Sequence, residues 1–263
     1  MNAAVTLHHI VPDWPGLPAN VGALSTVRAG GVSVAPYGDG QGGGGLNLGL
    51  HVGDDPACVA QNRARLAAIL PSEPAWLSQV HGVAVADAAT LAGCVPDADA
   101  SVATESGVVC AVMTADCLPV LFCSHDGLVV GAAHAGWRGL ANGVLQRTVQ
   151  DMRARGATEI LAWLGPAIGP DAFEVGSDVL QAFRDGARDA AEGQALSDAF
   201  AAIACKPGKY LADIYTLARI MLRRDGVTQV AGGEYCTVSD GAQFYSYRRD
   251  GVTGRQASLI WRK

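Results

Sequence analysis

The sequence predicts a mixed α/β (α+β) fold, a single layered domain over residues 1–263 with central β-sheets flanked by helices. Three observations carry that expectation. Hydrophobic residues make up 49% of the chain and charged ones only 17%, so enough apolar surface exists to offset the entropy of ordering the backbone. Short Val- and Leu-rich runs broken by Gly, Asp or Pro crowd the middle of the chain. Segments with apolar residues at helical spacing lie among and after them, and no linker-like stretch divides the whole.

The run 21–27 reads as a first strand. The tract 38–45 holds six glycines in eight positions and is expected to be an exposed loop that packs no core. Asp54-Asp55-Pro56, followed by Val59, Leu66 and Ile69, reads as a capped helix over about 56–70, with proline in its first turn. The runs 76–80, 83–86, 107–113, 118–123 and 128–134 supply the central sheet. Leu140, Val144, Leu145 and Met152 mark a helix crossing back over it, and 160–164 is a further strand. Segments 175–183 and 210–222 read as helical, 227–230 and 258–261 as extended. The tract 185–202, rich in Ala, Asp and Gly, reads as a mobile insertion.

Composition excludes several function classes. A net charge of −6 disfavours nucleic-acid binding, which needs a basic face to neutralise phosphates. The first residues lack the charged and apolar regions of a secretory signal, and no apolar run is long enough to span a membrane. Seven cysteines, an odd number set mostly in apolar context, fit a reducing cytoplasm better than a disulfide framework.

Three segments place a His or Cys at the end of an apolar run: Ser78-Gln79-Val80-His81-Gly82, Thr114-Ala115-Asp116-Cys117-Leu118-Pro119, and Ala133-His134-Ala135-Gly136-Trp137-Arg138-Gly139. Singly, each reads equally as a packed cysteine or a hydrogen-bonded structural histidine. Together, His81, Cys117 and His134 offer two imidazoles and a thiolate, spaced too widely for a zinc finger but suited to a catalytic zinc whose fourth position stays open. Asp116 is a candidate partner for an imidazole or an Arg, or a strand cap. His51 is the one other histidine in suggestive context, while Cys110 and Cys123 read as packing. Arg28, where a strand enters a Gly turn, is placed to meet an anion or solvent. Phe244, Tyr245, Ser246 and Arg248 offer aromatics, a hydroxyl and a cation within a few residues, or form a solvated β-edge ending in an Asp-Gly turn.

Read in order, these motifs resemble the YfiH family, also called the multicopper polyphenol oxidase or laccase-domain family. The resemblance extends to Ser25-Thr26-Val27-Arg28, Asn47-Leu48-Gly49-Leu50-His51, Asn62-Arg63, Gly165 to Pro170, Phe173-Glu174-Val175-Gly176 and the closing Tyr247-Arg248-Arg249 with Gly254-Arg255. It implies an α/β fold and a zinc site at His81, Cys117 and His134. It also implies phosphorolysis of adenosine, inosine, guanosine and methylthioadenosine, together with hydrolytic deamination of adenosine. Arg28 matches an arginine implicated in substrate or phosphate handling. The glycine-rich tract before Asn47 departs from the pattern.

The expected activity is thus a zinc-dependent purine nucleoside enzyme taking nucleoside and phosphate. His81, Cys117, His134 and Arg28 are the catalytic candidates, and Asn47, Phe244, Tyr245, Ser246 and Arg248 the substrate-binding ones. Arg28 and Arg248 are expected to hold phosphate, Tyr245 or Phe244 to stack on the base, and Glu174 is a weaker proton-transfer candidate. Two alternatives remain. One is a metal-free cysteine hydrolase with Cys117 as nucleophile and His134 as base, a class associated with editing of peptidoglycan precursors. The other is a copper-dependent, laccase-like oxidase; copper can occupy a three-ligand site, but six histidines with no His-x-His pair are few for several copper centres.

Overall fold

The computed structural model describes residues 7–91 and 93–263. In chain order the elements are β1 (His9–Ile10), β2 (Val21–Thr26), β3 (Ala29–Ser33), α1 (Pro56–Ala67), β4 (Val85–Asp87), β5 (Ala100–Ala103), β6 (Val109–Thr114), β7 (Leu118–Ser124), β8 (Val130–Ala135), α2 (Trp137–Ala141), α3 (Val144–Ala154), β9 (Ile160–Leu164), β10 (Glu174–Gly176), α4 (Ser177–Asp185), α5 (Ala190–Asp198), β11 (Phe200–Ala202), β12 (Lys209–Ala212), α6 (Ile214–Arg224), β13 (Gln229–Gly232), α7 (Tyr247–Asp250) and β14 (Gln256–Arg262). The predicted mixture of helices and sheets is what forms. Among the described residues no helix is long and apolar enough to cross a membrane.

A six-stranded sheet runs β13-β9-β7-β8-β5-β4, a four-stranded sheet β1-β2-β14-β6, and a small third sheet β10-β12-β11. Alternation along β7 explains the layering. Leu118, Val120 and Phe122 pack with Val149 and Met152 of α3 and with Leu217 and Met221 of α6. Leu121 and Cys123 face the other way, into a core shared with Val112 of β6 and Ile260 of β14. The outer face of the four-stranded sheet, with Ala111, Leu259 and Leu24, is covered by Leu46, Leu48 and Leu66. Central strands buried on both faces read as continuous apolar runs, which is why 107–113, 118–123 and 128–134 stand out in the sequence. Cys110 and Cys123 are packing residues, and burial pushes both thiols up to about 12.

Several expectations are corrected. The run 76–80 makes only isolated bridges, while β5, with its weak Ala-Ser-Val-Ala pattern, carries the pairing between β4 and β8 instead. The expected helix over 140–152 is two helices, because Gly143 takes a left-handed φ of 93° between them. The segment 175–183 opens as β10 before becoming α4, and 210–222 opens as β12 before Asp213 caps α6. The tract 185–202 is not a loose insertion. Asp189 caps α5 by accepting from the Glu192 amide, and Leu196 and Phe200 are buried in the main core. The glycine-rich tract is exposed at 40–43, but Gly38 and Gly45 are buried.

Gly45 is pinned by one polar side chain on α1. Asn62 is fully buried; its amide donates to the Ser33 hydroxyl and to the carbonyls of Gly45 and Asn47, and its oxygen accepts from the Val32 amide. Asn62→Ala orphans these groups and is expected to cost about 3 kcal/mol, since each unpaired buried polar group costs about 1–3 kcal/mol. Urea unfolding at equilibrium checks this, and a midpoint unchanged from wild type would show that the knot carries no stability.

Candidate active site

The three sequence motifs converge at one end of the six-stranded sheet. Strands β7 and β8 pair with Leu118 opposite Ala135 and Pro119 opposite His134, so Cys117 at the mouth of β7 and His134 near the end of β8 become neighbours. His81 arrives from the 76–82 segment across them. Two residues here adopt left-handed backbone without being glycine, His81 at φ 60° and Asp116 at φ 94°. Such conformations cost on the order of 1–3 kcal/mol and persist only when surroundings enforce them. At Asp116 the enforcement is visible. Its carboxylate accepts from the Thr237 hydroxyl at 2.6 Å and the Arg248 amide at 2.7 Å, and its carbonyl accepts from the Ile168 amide. At His81 it comes from Asp99, whose carboxylate accepts from the amides of Val80, His81 and Gly82.

Ligand atoms of His81, Cys117 and His134 all lie within 4.8 Å of one another. His81 Nε2 and Cys117 Sγ are 3.8 Å apart, close to the separation of about 3.5 Å for a nitrogen and a sulfur on one tetrahedral zinc. Gly136 keeps the space open, since a Cβ there would lie 2.9 Å from His81 Cδ2 and 3.0 Å from Cys117 Sγ. His134 is buried and its Nδ1 lies 2.8 Å from Asp99 Oδ1, which leaves Nε2 for the site. Burial by itself would raise the Cys117 thiol, but the charge of His134 and hydrogen bonds from both imidazoles outweigh it and bring the thiol down to about 6. Burial opposes protonation of His134, yet Cys117 and Asp99 together raise it to about 9. The donor set is therefore one thiolate and two imidazoles beside an opening, which fits a single zinc ion with a free position.

That opening is a cavity of about 650 Å³. Leu50, Trp76, Leu77, Val95 and Met113 make an apolar wall, and Tyr247 stands at the rim, 61% exposed. Arg63, Arg255 and His51 line the same cavity. Arg63 stacks on Trp76 at 4.2 Å and donates to the Leu48 carbonyl. Burial depresses the pKa of both guanidinium groups; burial and the two arginine charges also lower that of His51. Among the described residues no Asp or Glu lines the cavity.

Several sequence candidates lie elsewhere. Arg28 is buried and donates to the carbonyls of Gly38 and Gly241, sits over the Tyr245 ring at 5.2 Å and pairs with Asp250 at 3.6 Å, which ties the glycine-rich loop to α7. Asn47 is fully buried and its oxygen accepts from the Gly49 and Arg255 amides, so it sets the backbone of a cavity arginine. Phe244 and Tyr245 are fully buried, and Tyr245 donates to the Tyr37 carbonyl. Ser246 caps α7, which takes the place of the expected β-edge. Arg248 donates to the Glu174 carbonyl, and Glu174 pairs with Lys206 at the surface. Asp99, Arg63, Arg255 and Tyr247 were not sequence candidates. Arg63, Tyr247 and Arg255 lie inside motifs that carry the family resemblance; Asp99, in Pro96-Asp97-Ala98-Asp99-Ala100, carries no local signal.

The family described as multi-copper polyphenol oxidoreductase laccase matches residues 22–263. The chain belongs to this YfiH-type laccase-domain family. A purine nucleoside phosphorylase of Pseudomonas aeruginosa is 54% identical over 261 residues, covering 99% of each chain. Purine nucleoside phosphorylase YfiH of Escherichia coli is 53% identical, covering 96% of this chain and 98% of its own. The crystal structure of a Neisseria meningitidis protein superposes with a TM-score of 0.85 at 50% identity, covering 97% of this chain and 99% of that one. YlmD of Geobacillus stearothermophilus superposes at 0.80 with 32% identity, covering 95% and 94%.

For this laccase-domain protein, the pairing of Cys117 with two imidazoles has a direct readout. In chelator-treated protein, iodoacetamide labelling of the Cys117 peptide should climb with pH through a midpoint of about 6, because the thiolate is the nucleophile. A midpoint above about 8, the range of a free thiol, would show that the imidazoles do not hold it.

Proposed function

We propose that the protein is a zinc-dependent purine nucleoside phosphorylase. One observation carries the reading: a single cavity joins a His-Cys-His donor set to two arginines and an apolar wall, with no carboxylate among its described lining residues. The full-length likeness to proteins named purine nucleoside phosphorylase supports it. Zinc bound by His81, Cys117 and His134 would supply Lewis-acid chemistry at that end of the cavity. Arg63 and Arg255 hold inorganic phosphate, the fork of each guanidinium matching two phosphate oxygens. Tyr247 stacks on the purine at the rim, and the buried Leu77 and Met113 exclude water from the reacting centre. A phosphate oxygen bonds to C1′ of the ribose as the bond from C1′ to the purine breaks. The purine leaves with the bonding pair and gains, by way of solvent, the proton that the hydrogen phosphate gives up as it becomes the sugar phosphate.

Inosine, adenosine, guanosine and methylthioadenosine are the proposed nucleosides. Deamination of adenosine would use the same donor set, but zinc deaminases employ a carboxylate as acid and base; its absence from the described lining favours phosphorolysis. Among the described residues one group of His, Cys, Asp or Glu side chains could hold an ion, which favours one zinc over several coppers. All seven cysteines are free, in keeping with a reducing, cytoplasmic setting. A second reading, a cysteine hydrolase using Cys117 and His134, is favoured by the lowered Cys117 thiol. Stoichiometric zinc that is lost in His81→Ala would argue against it.

The zinc-loaded protein incubated with inosine should release hypoxanthine only when phosphate is present, and Cys117→Ala should be inert. Arg255→Met should raise KM for phosphate by about tenfold or more, the loss of one charged hydrogen bond of about 1.5–3 kcal/mol. Release independent of phosphate, or retained by Cys117→Ala, would sink the reading.

A further inference from the structure

We propose that Asp99 is the positioning residue that sets both imidazoles of the site at once, His134 through its ring and His81 through its backbone. The inference rests on the reading of that cluster as the reaction centre. Asp99 is fully buried, and its two oxygens take four donors. Oδ1 accepts from His134 Nδ1 at 2.8 Å and the His81 amide at 2.9 Å; Oδ2 accepts from the Gly82 amide at 2.6 Å and the Val80 amide at 3.2 Å. Its own carbonyl accepts from the His134 amide at 2.6 Å.

Two consequences follow from this geometry. With Nδ1 committed to Asp99, the His134 ring has one orientation, and Nε2 faces Cys117. The three consecutive amides converging on one carboxylate hold His81 in its left-handed conformation, which is uncommon for any residue but glycine. His81 and His134 come from segments far apart in sequence, yet they share an anchor, so neither moves without loading the other. A carboxylate is the group required. It accepts at both oxygens, whereas an asparagine must turn its NH₂ either toward His134 and the His81 amide or toward Gly82 and Val80, donor against donor.

Asp99→Asn is the test, with three readouts. Amide hydrogen exchange of the metal-free protein should lose protection at 80–82 while β7 and β9 keep theirs. Zinc affinity, from competition with a chromophoric chelator, should fall about 10–100-fold, as for loss of the partner that orients a metal ligand. Phosphorolysis should lose kcat with KM for phosphate unchanged, because Arg63 and Arg255 stand on other segments. If Asp99→Asn does not fold, Asp99→Glu keeps the charge and displaces the oxygens by one methylene; it should fold and show the same local exchange and weakened zinc. Exchange at 80–82 and zinc affinity both within about twofold of wild type in the folded variant would overturn the proposal, as would protection lost uniformly across the six-stranded sheet. Failure of the wild-type protein to bind zinc would instead count against the proposed function, and the exchange readout would still decide the role of Asp99.

Discussion

Strands β7 and β8 are buried on both faces, and their register cannot slip by one residue without turning Val120, Phe122 and Ala133 out of one core and Leu121 and Ala132 out of the other. Hydrophobic packing far from any substrate thus fixes where Cys117 and His134 stand. Because their strand ends are neighbours, two groups with opposite proton preferences share a small volume. Packing sets the distance, and the thiolate-imidazole pairing follows from it.

The distribution of charge follows a second constraint. The chain carries a net charge of −6, yet the cavity is lined by arginines and histidines. The nearest carboxylates are turned into the protein and spent on backbone amides: Asp99 on 80–82, Asp116 on Arg248. Burial works against the Asp99 charge, but the His134 and amide donors outweigh it and hold its pKa below the ordinary value. Negative charge is therefore used to shape the walls and does not face the cavity.

The legible part of the molecule was the part with local pattern. Central strands show as apolar runs because both faces are buried, and His81, Cys117 and His134 show because polar groups interrupt those runs. Chain breaks inside amphipathic stretches, at Gly143 and at Asp213, were masked by periodicity that continues across them. The weak strand β5 forms because β4 and β8 flank it, not because Ala-Ser-Val-Ala prefers extension. Arg28 illustrates the limit from the other side: its motif was visible, but a guanidinium that braces a loop and one that faces a cavity look the same until the tertiary partners are known.

The left-handed conformations of His81 and Asp116 set backbone ease against the site. Glycine at His81 would relieve the backbone and keep the amide that Asp99 accepts from, so a search for greater heat resistance alone would be drawn there; at Asp116 glycine would relieve the backbone but strip the Thr237 hydroxyl and the Arg248 amide of their acceptor. At His81 that gain would remove one imidazole from the His-Cys-His cluster; at Asp116 the change would free the segment that carries Tyr247 to the cavity rim. With a histidine and an aspartate there, the molecule carries backbone strain at the very two positions that shape its cavity.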